Sequence, residues 1–290
     1  MGQFGELTLG GISFGMIYAA IGLALVLIWR ATRILNYAQG GMAMLTTYIA
    51  LTVISHTGSY WAGFAAALAA GLVLGAVIER VVIRPVENKP PLNAVIVTIG
   101  LLIFLEGLAG IIYGGQFRSF PAAFSITGLR QGSLGISSND VFVAGAVLAA
   151  ALVLAVVFRY TSAGLRLRAS AFNAQVARLL GVRVGRMLTL GWALSGLIGA
   201  LAGVLVSPST FLYPNSMDSI FVLGFTAAVI GGLDSPVGGV IGGVLLGVVL
   251  SYAGGYLGSN LVLVYGLAAL ALVLMIRPSG LFSSAASRRV

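Results

Sequence analysis

Between Arg159 and Arg186 the chain runs RYTSAGLRLRASAFNAQVARLLGVRVGR, holding six arginines (Arg159, Arg166, Arg168, Arg178, Arg183, Arg186) and no acid. Guanidinium groups at this density can hold anions or another protein, and they also fix where the stretch lies. One arginine at the centre of a bilayer costs about 2.5–3.5 kcal/mol on the most lenient insertion scale, so six unpaired ones must sit in water. The stretch nevertheless carries an apolar period, with Phe172, Val176, Leu179 and Leu180 at i, i+4, i+7 and i+8 and Asn173, Gln175 and Arg178 between them. That spacing predicts a short amphipathic helix. Ser170 is placed to cap its start, Gly181 to close it in the left-handed conformation, and Arg178 to complement its C-terminal dipole. A short helix that shows water an apolar face is a docking surface.

The other polar residues of interest lie in or beside long apolar runs. Glu106 is the one acid deep inside such a run, and a carboxylate at that depth can meet a polar substrate or its ammonium group. It can equally stand protonated, or hydrogen-bonded to a neighbouring helix. Tyr18, Asn36, Gln39 and Thr98 complete the candidate substrate pathway; for Asn36, Gln39 and Thr98, capping or bonding between helices is the simpler reading. Glu79, next to Arg80, reads as an interfacial residue.

Bond-making chemistry is scarce. There is no cysteine and one histidine, His56, which excludes thiolate and paired-histidine metal centres. The lone lysine, Lys89, stands between Asn88 and Pro90 rather than in G-x-x-x-x-G-K-[ST], so the chain cannot supply a Walker A site. No catalytic residue, metal ligand or resident cofactor is expected.

The elements that position these residues must be membrane helices. The 290 residues are 59% hydrophobic and 8% charged, with a mean hydropathy of +1.06. In a soluble protein a net charge of +9 would suggest nucleic acid; beside apolar runs it is a topology signal. At about 20 residues per span, runs near 8–28, 36–55, 60–79, 94–113, 140–158, 187–207, 219–232, 237–257 and 260–276 predict an all-α, polytopic transmembrane bundle of about eight to ten spans. The run at 219–232 is too short to cross alone. The opening MGQFGE lacks a basic signal-peptide region, so the first run is expected to be a retained span. With the N-terminus outside, fourteen of the sixteen basic residues fall on inner segments, leaving Arg118 and Arg130 outside and placing the C-terminus in the cytoplasm.

Glycines four apart, such as Gly11 and Gly15, Gly71 and Gly75, Gly199 and Gly203, and Gly239, Gly243 and Gly247, predict seams of close helix packing. In IGGLDSPVGGVIGG, Asp234 or Ser235 is placed to cap a helix that Pro236 begins, which favours a tight turn over a broken helix. The segment 114–139 is rich in Gly and Ser and reads as a structured outer loop, a hairpin in form.

Several stretches in order resemble a known family: GMIYAAIGLALVLI, ILNYAQGGMAML, RPVENKPPLNAVIVTIGLLIFLEGLAGIIYG, and GLRLRASAFNAQVARLLGVRVGR running into LGWALSGLIGALAGVL. Together they resemble, over nearly the whole chain, the permease subunits of branched-chain amino acid ABC importers, the LivH type. The resemblance implies one transmembrane permease domain over 1–290 with the ABC importer permease fold and a cytoplasmic coupling loop at 159–186. Carried over residue by residue, that loop falls on Gly164, Arg168, Ala169, Ala177, Leu180 and Gly181, to which the helical reading adds Phe172 and Val176. The implied role is a transport subunit, not an enzyme, of an ATP-driven importer for branched-chain or other small, largely apolar amino acids. ATP and Mg would sit on cytoplasmic ATPase partners. A second permease subunit, LivM-like or a copy of this chain, an external substrate-binding protein, the amino-acid substrate and membrane lipid complete the partners, with no nucleic acid. The implied location is a bacterial or archaeal cytoplasmic (inner) membrane. Residues depart from the family pattern near Gln39 and Gly41, where His and an acid are common, at Phe172, Asn173 and Gln175, where acids are common, and at Glu106, where an uncharged amide is common.

Three other readings stay beside this one. One is an ABC permease for amides or urea, and another a passive channel or secondary carrier, though the scarcity of buried ionisable groups opposes ion coupling. The third is a structural subunit whose basic loop binds anionic lipid.

Overall fold

The computed structural model of the protein describes residues 2–87, 89–124 and 137–282. Eleven α-helices run through these residues in chain order. They are α1 (Gly2–Thr32), α2 (Gln39–Thr57), α3 (Tyr60–Ile78), α4 (Pro91–Tyr113), α5 (Ser138–Tyr160) and α6 (Ser162–Phe172). After them come α7 (Ala174–Leu179), α8 (Val184–Val206), α9 (Asp218–Gly231), α10 (Pro236–Leu257) and α11 (Val262–Ile276). The all-helical expectation holds. Among the described residues the extended pairing is a single antiparallel bridge between Arg118 and Leu212.

Seven helical segments are long and apolar enough to cross a membrane: α1, α3 with its continuation to Val86, α4, α5, α8, α10 and the segment ending in α11. The nine expected runs all form helices, but α2 and α9 do not meet that measure. The α9 helix has 14 residues, as the short run at 219–232 foretold. In α2 the reason is composition, because Gln39, Thr46, Thr47, Thr52, Ser55 and His56 dilute its apolar content. It starts at Gln39 rather than at 36, so Asn36 sits in the preceding loop.

The bundle is built around α1, which at 1.5 Å per residue is about 46 Å long. Every residue from Gly15 to Ile28 is buried. This is possible because α10 lies antiparallel against α1 with almost no side chains between them. A Cβ at Gly15 would come within 2.7 Å of Val244 Cα, and one at Gly247 within 2.3 Å of Gly11 O. The same device joins α3 to α8, where a Cβ at Gly75 would sit 2.2 Å from Trp192 O and one at Gly71 2.5 Å from Gly196 O. The expected seams at Gly11, Gly15, Gly71, Gly75, Gly243 and Gly247 are therefore contacts of backbone on backbone, whereas Gly199 instead makes room for the Gln39 side chain and Gly239 faces that of Val26; dispersion between tightly apposed helices, rather than water exclusion, holds the seams in lipid.

The ends of α1, α3, α5 and α11, with Arg30, Arg33, Arg84, Arg159 and Arg277 in or just beyond them, gather with the start of α10 and with α6 and α7 at one end of the bundle. There Arg33 pairs with Asp234, tying α1 to the turn before α10. Ser235 Oγ accepts from Gly238 N at 2.9 Å and Pro236 occupies the first turn, as expected of a tight turn. The chain then returns after α11, where Leu281 N donates to Ile230 O at 2.8 Å and satisfies a carbonyl left open at the end of α9.

Glu79, expected as an interfacial residue beside Arg80, is buried against protein and paired with Arg84. The α3 helix widens into a π turn over Glu79–Ile83, and the extra residue swings Arg84 round to face Glu79. The two form a bidentate pair, Nε to Oε1 at 3.1 Å and Nη2 to Oε2 at 2.9 Å. The hairpin expected in 114–139 falls largely on residues 125–136, which lie outside the described residues, as does Arg130.

Candidate functional site

The arginine-rich stretch folds as a helical hairpin, α6 then α7, set across the end of α5. At Thr161 the chain turns sharply, and Thr161 Oγ1 caps α6 by accepting from Gly164 N at 3.1 Å. Only glycine fits at 164, because a Cβ there would be 2.2 Å from Val157 O on α5. Asn173, with φ −152° and ψ 101°, then interrupts the helix, and its Oδ1 accepts from Gln175 N and Val176 N at 3.0 Å each. The cap of the second helix is therefore Asn173, not Ser170. The asparagine side chain offers the backbone a competing partner and breaks one expected helix into two. Ser170 lies inside α6 and is buried. Gly181 closes α7 with φ +78°, as expected, while Val182 N bonds Ala177 O at 2.9 Å.

Phe172, the last residue of α6, and Leu179 and Leu180 at the end of α7 are 93%, 87% and 77% exposed, with Val176 half-exposed; the apolar residues face outward as expected, but from two helices rather than as one stripe, with Gln175 and Arg178 exposed among them. Ala177, which the family resemblance placed in the coupling loop with Leu180, instead packs inward on Val184 and Leu188 of α8, with Ala169 and Ala174 beside it. On a continuous helix Ala177 and Leu180 would lie about 60° apart, but α7 ends at Leu179 and Leu180 leaves the helical path to face outward, while the small Ala177 side chain suits the buried side. Arg168 stays exposed on α6, its Nε 3.4 Å from Gly164 O. Beneath the hairpin lies a cavity of about 230 Å³, lined among others by Thr32, Glu79, Glu87, Ser170, Ala174 and Trp192. Burial pushes the Glu87 carboxyl above its ordinary value, and Arg178 on α7 draws it part of the way back.

The candidate pathway residues do not form one cluster. Asn36 Nδ2 donates to Gln39 Oε1 at 2.9 Å, Gln39 Nε2 donates to Ser195 O at 3.1 Å, and Ser195 Oγ is 2.9 Å from Ala24 O and 3.1 Å from Gln39 Oε1. These buried groups satisfy one another and lock α1, α2 and α8 together. Thr98 turns its hydroxyl back to Val95 O at 3.0 Å, and Tyr18 is buried in the α1 core. Glu106 stands apart, where Asn215 Nδ2 donates to its Oε2 at 2.9 Å and lies 3.4 Å from Asp218 Oδ2.

Ser195 and Asn215 were not singled out from sequence, since a serine or asparagine near an apolar run carries no periodic signal. The structure does bring three chain segments to one junction: a Cβ at Gly40 would meet Phe221 of α9, and one at Gly41 would meet Leu102 and Leu105 of α4. Glu106 follows Leu105 directly, so the first turns of α2 and α9 and this acid border the same region. Neither first turn is capped by a side chain. A literal G-x-S-x-G match at Gly11–Gly15 lies within α1 and serves the glycine seam, not the strand-to-helix elbow that would expose a nucleophile. Among the described residues no three His, Cys, Asp or Glu side chains cluster as metal ligands do.

Residues 7–278 match the family described as "Branched-chain amino acid transport system / permease component". The chain is 29% identical to the high-affinity branched-chain amino acid transport system permease proteins LivH of Salmonella typhimurium and of Escherichia coli strain K12, over 93% of this chain and 92% of each of theirs. In three dimensions it superposes with a TM-score of 0.53 on a transporter assigned to the metal-chelate ABC type and solved in an inward-facing conformation, covering 93% of this chain and 85% of that one at 15% identity.

Proposed function

Because this chain belongs to the branched-chain amino acid transport permease family, and so is a membrane-embedded permease subunit of an ABC amino acid importer, we propose that it moves branched-chain or other small, largely apolar amino acids into the cell. The observation that supports a driven rather than a passive device is the α6–α7 hairpin. Phe172 at the end of α6 and Leu179 and Leu180 at the end of α7 are large, apolar and exposed among arginines, outside any segment long enough to cross the membrane. That arrangement is costly in water and suits a partner's groove.

In this reading cytoplasmic ATPase subunits carry ATP and Mg and receive Phe172, Val176, Leu179 and Leu180. An external binding protein delivers the substrate, and a second permease subunit completes the channel. The arginine-rich end then faces the cytoplasm, which agrees with the positive-inside rule and leaves Arg118 on the opposite side. Gly164 and Ala177 seat the hairpin on α5 and α8, while the cavity beneath it leaves room for the hairpin to shift without overpacking. Movement of the hairpin is how differential contact with the ATPase in two states reaches α1, α3 and α8. On the other side, Glu106 meets the substrate's ammonium and the uncapped first turns of α2 and α9 meet its carboxylate.

The test is co-purification and reconstitution with the ATPase and binding protein found in the same membranes. Leucine uptake that requires ATP and binding protein is the expected outcome; leucine flux through the permease alone would overturn it.

A further inference from the structure

Beside the hairpin, on the flank between α1, α5, α6 and α10, lies a cleft of about 290 Å³ lined by Arg30, Ala155, Phe158, Arg159, Arg168, Pro236 and Val237. Three of its seven residues are arginines from three different helices. Among the described residues the ion pairs are Arg33 with Asp234 and Arg84 with Glu79, so none of the cleft arginines has an acid within salt-bridge reach. Arg30 is half-buried, and its guanidinium carbon lies 4.9 Å above the ring of buried Phe158. Arg30 and Arg168 repel one another, and the acid that offsets Arg30, Asp234, is already paired with Arg33, so an anion between the arginines makes their convergence more favourable.

The rest of the lining is apolar, and it continues along the bundle. From Ala155 the α5 face runs through Leu152 to Leu148, and from Val237 the α10 face runs to Leu245 and Val249, all exposed large residues on segments that cross the membrane. Charge therefore sits at the end of the spans, with two greasy tracks leading away from it.

We propose that this cleft is a headgroup site for an anionic glycerophospholipid: the phosphate lies among Arg30, Arg159 and Arg168, and the acyl chains follow the α5 and α10 tracks. A lipid so placed ties the hairpin, through Arg168, to α1 and α5. It braces the element through which the ATPase is proposed to act, although the binding itself does not depend on that reading.

Native mass spectrometry of the delipidated full-length protein, titrated with phosphatidylglycerol and with phosphatidylcholine of the same chains, tests this. The wild type is expected to retain phosphatidylglycerol preferentially. Arg30→Gln with Arg159→Gln should weaken that retention on the order of tenfold or more, while Arg118→Gln, at the opposite end of the bundle, should leave it unchanged. Val237→Trp fills the cleft without altering charge and should give the same loss, which keeps the test decisive if the arginine variant does not fold. Equal retention by wild type and both cleft variants overturns the proposal. So does displacement of the lipid by glycerol 3-phosphate alone, which would make this a soluble-anion site. Loss of a co-purified protein subunit with lipid retention intact would assign the arginines to protein docking instead.

Discussion

Thr189 donates a 2.6 Å hydrogen bond to the same Glu79 oxygen that Arg84 Nη2 reaches at 2.9 Å, so one buried carboxylate joins the end of α3 to the start of α8. The side chain of Glu79 is 2% exposed and that of Arg84 is 32%. Removing the partners is therefore not symmetrical. Arg84→Leu leaves a buried charge held by Thr189 alone and should destabilise the protein by about 3–5 kcal/mol, whereas Glu79→Gln keeps an acceptor and lets Arg84 turn to water, at about 1–2 kcal/mol. Denaturant unfolding in detergent measures both, and equal losses would show that the carboxylate is not the buried centre of this contact.

On the hairpin, aspartate at two positions three residues apart should have different consequences. Leu180→Asp faces outward and should abolish ATP-driven uptake with insertion and melting temperature unchanged. Ala177→Asp is driven against Val184 and Leu188, and burying an unpaired carboxylate there should cost about 2 kcal/mol or more in stability. Uptake assays paired with thermal melts separate the two. Normal uptake by Leu180→Asp would remove α7 from the coupling path.

Glu87 gives the hairpin region a pH dependence. Burial is the largest cause of its raised value, Arg178 opposes it, nearby Glu79 adds to it and Arg84 opposes it again. Since folding disfavours the ionised form, the stability linked to Glu87 is complete below its ordinary value of 4.5 and is lost as pH rises through the higher folded value. Hydrogen exchange of α6 and α7 should thus quicken, beyond the intrinsic rate, from about pH 4 to pH 7. Glu87→Gln should flatten that profile; an unchanged profile would place the titrating group elsewhere.

For Glu106, the expected signature is in affinity. Glu106→Gln should raise the KM for substrate delivered by the binding protein by about tenfold or more, the usual worth of a hydrogen bond to a charged group, with kcat changed less. Asn215→Leu, which removes the donor bridging Glu106 and Asp218, should act in the same direction. If both leave KM untouched, Glu106 serves only to pin the loop before α9 to α4.

Much of the architecture was legible in the residue order because its causes are local or periodic. Apolar run length gave the helices, glycine spacing gave the seams, and Gly181, Ser235 and Pro236 announced their turns. The failures share a cause as well. Asn173 splitting a helix, the π turn that brings Arg84 to Glu79, and Ser195 closing on Gln39 each depend on one side chain outcompeting a regular pattern, or on a partner more than a hundred residues away. Ala177 was grouped with Leu180 through the family resemblance, which does not tell which face a small apolar residue occupies; only α8 decides it. The candidate pathway scattered for the same reason, since polar groups in apolar runs look alike whether they meet a ligand or each other.

The burial of α1 bears on how such a protein can be made. The face it offers to α10, Gly11 and Gly15 against Gly243 and Gly247, is completed by glycines 228 positions further along from Gly15 to Gly243. At about 5–20 residues per second, a ribosome needs roughly 10–45 seconds to reach them. During that interval the glycine face of α1 lacks the helix that will cover it in the finished bundle. Its lack of any charged residue between Glu6 and Arg30 makes the wait tolerable, so that freedom from charge serves biogenesis before it serves the finished core.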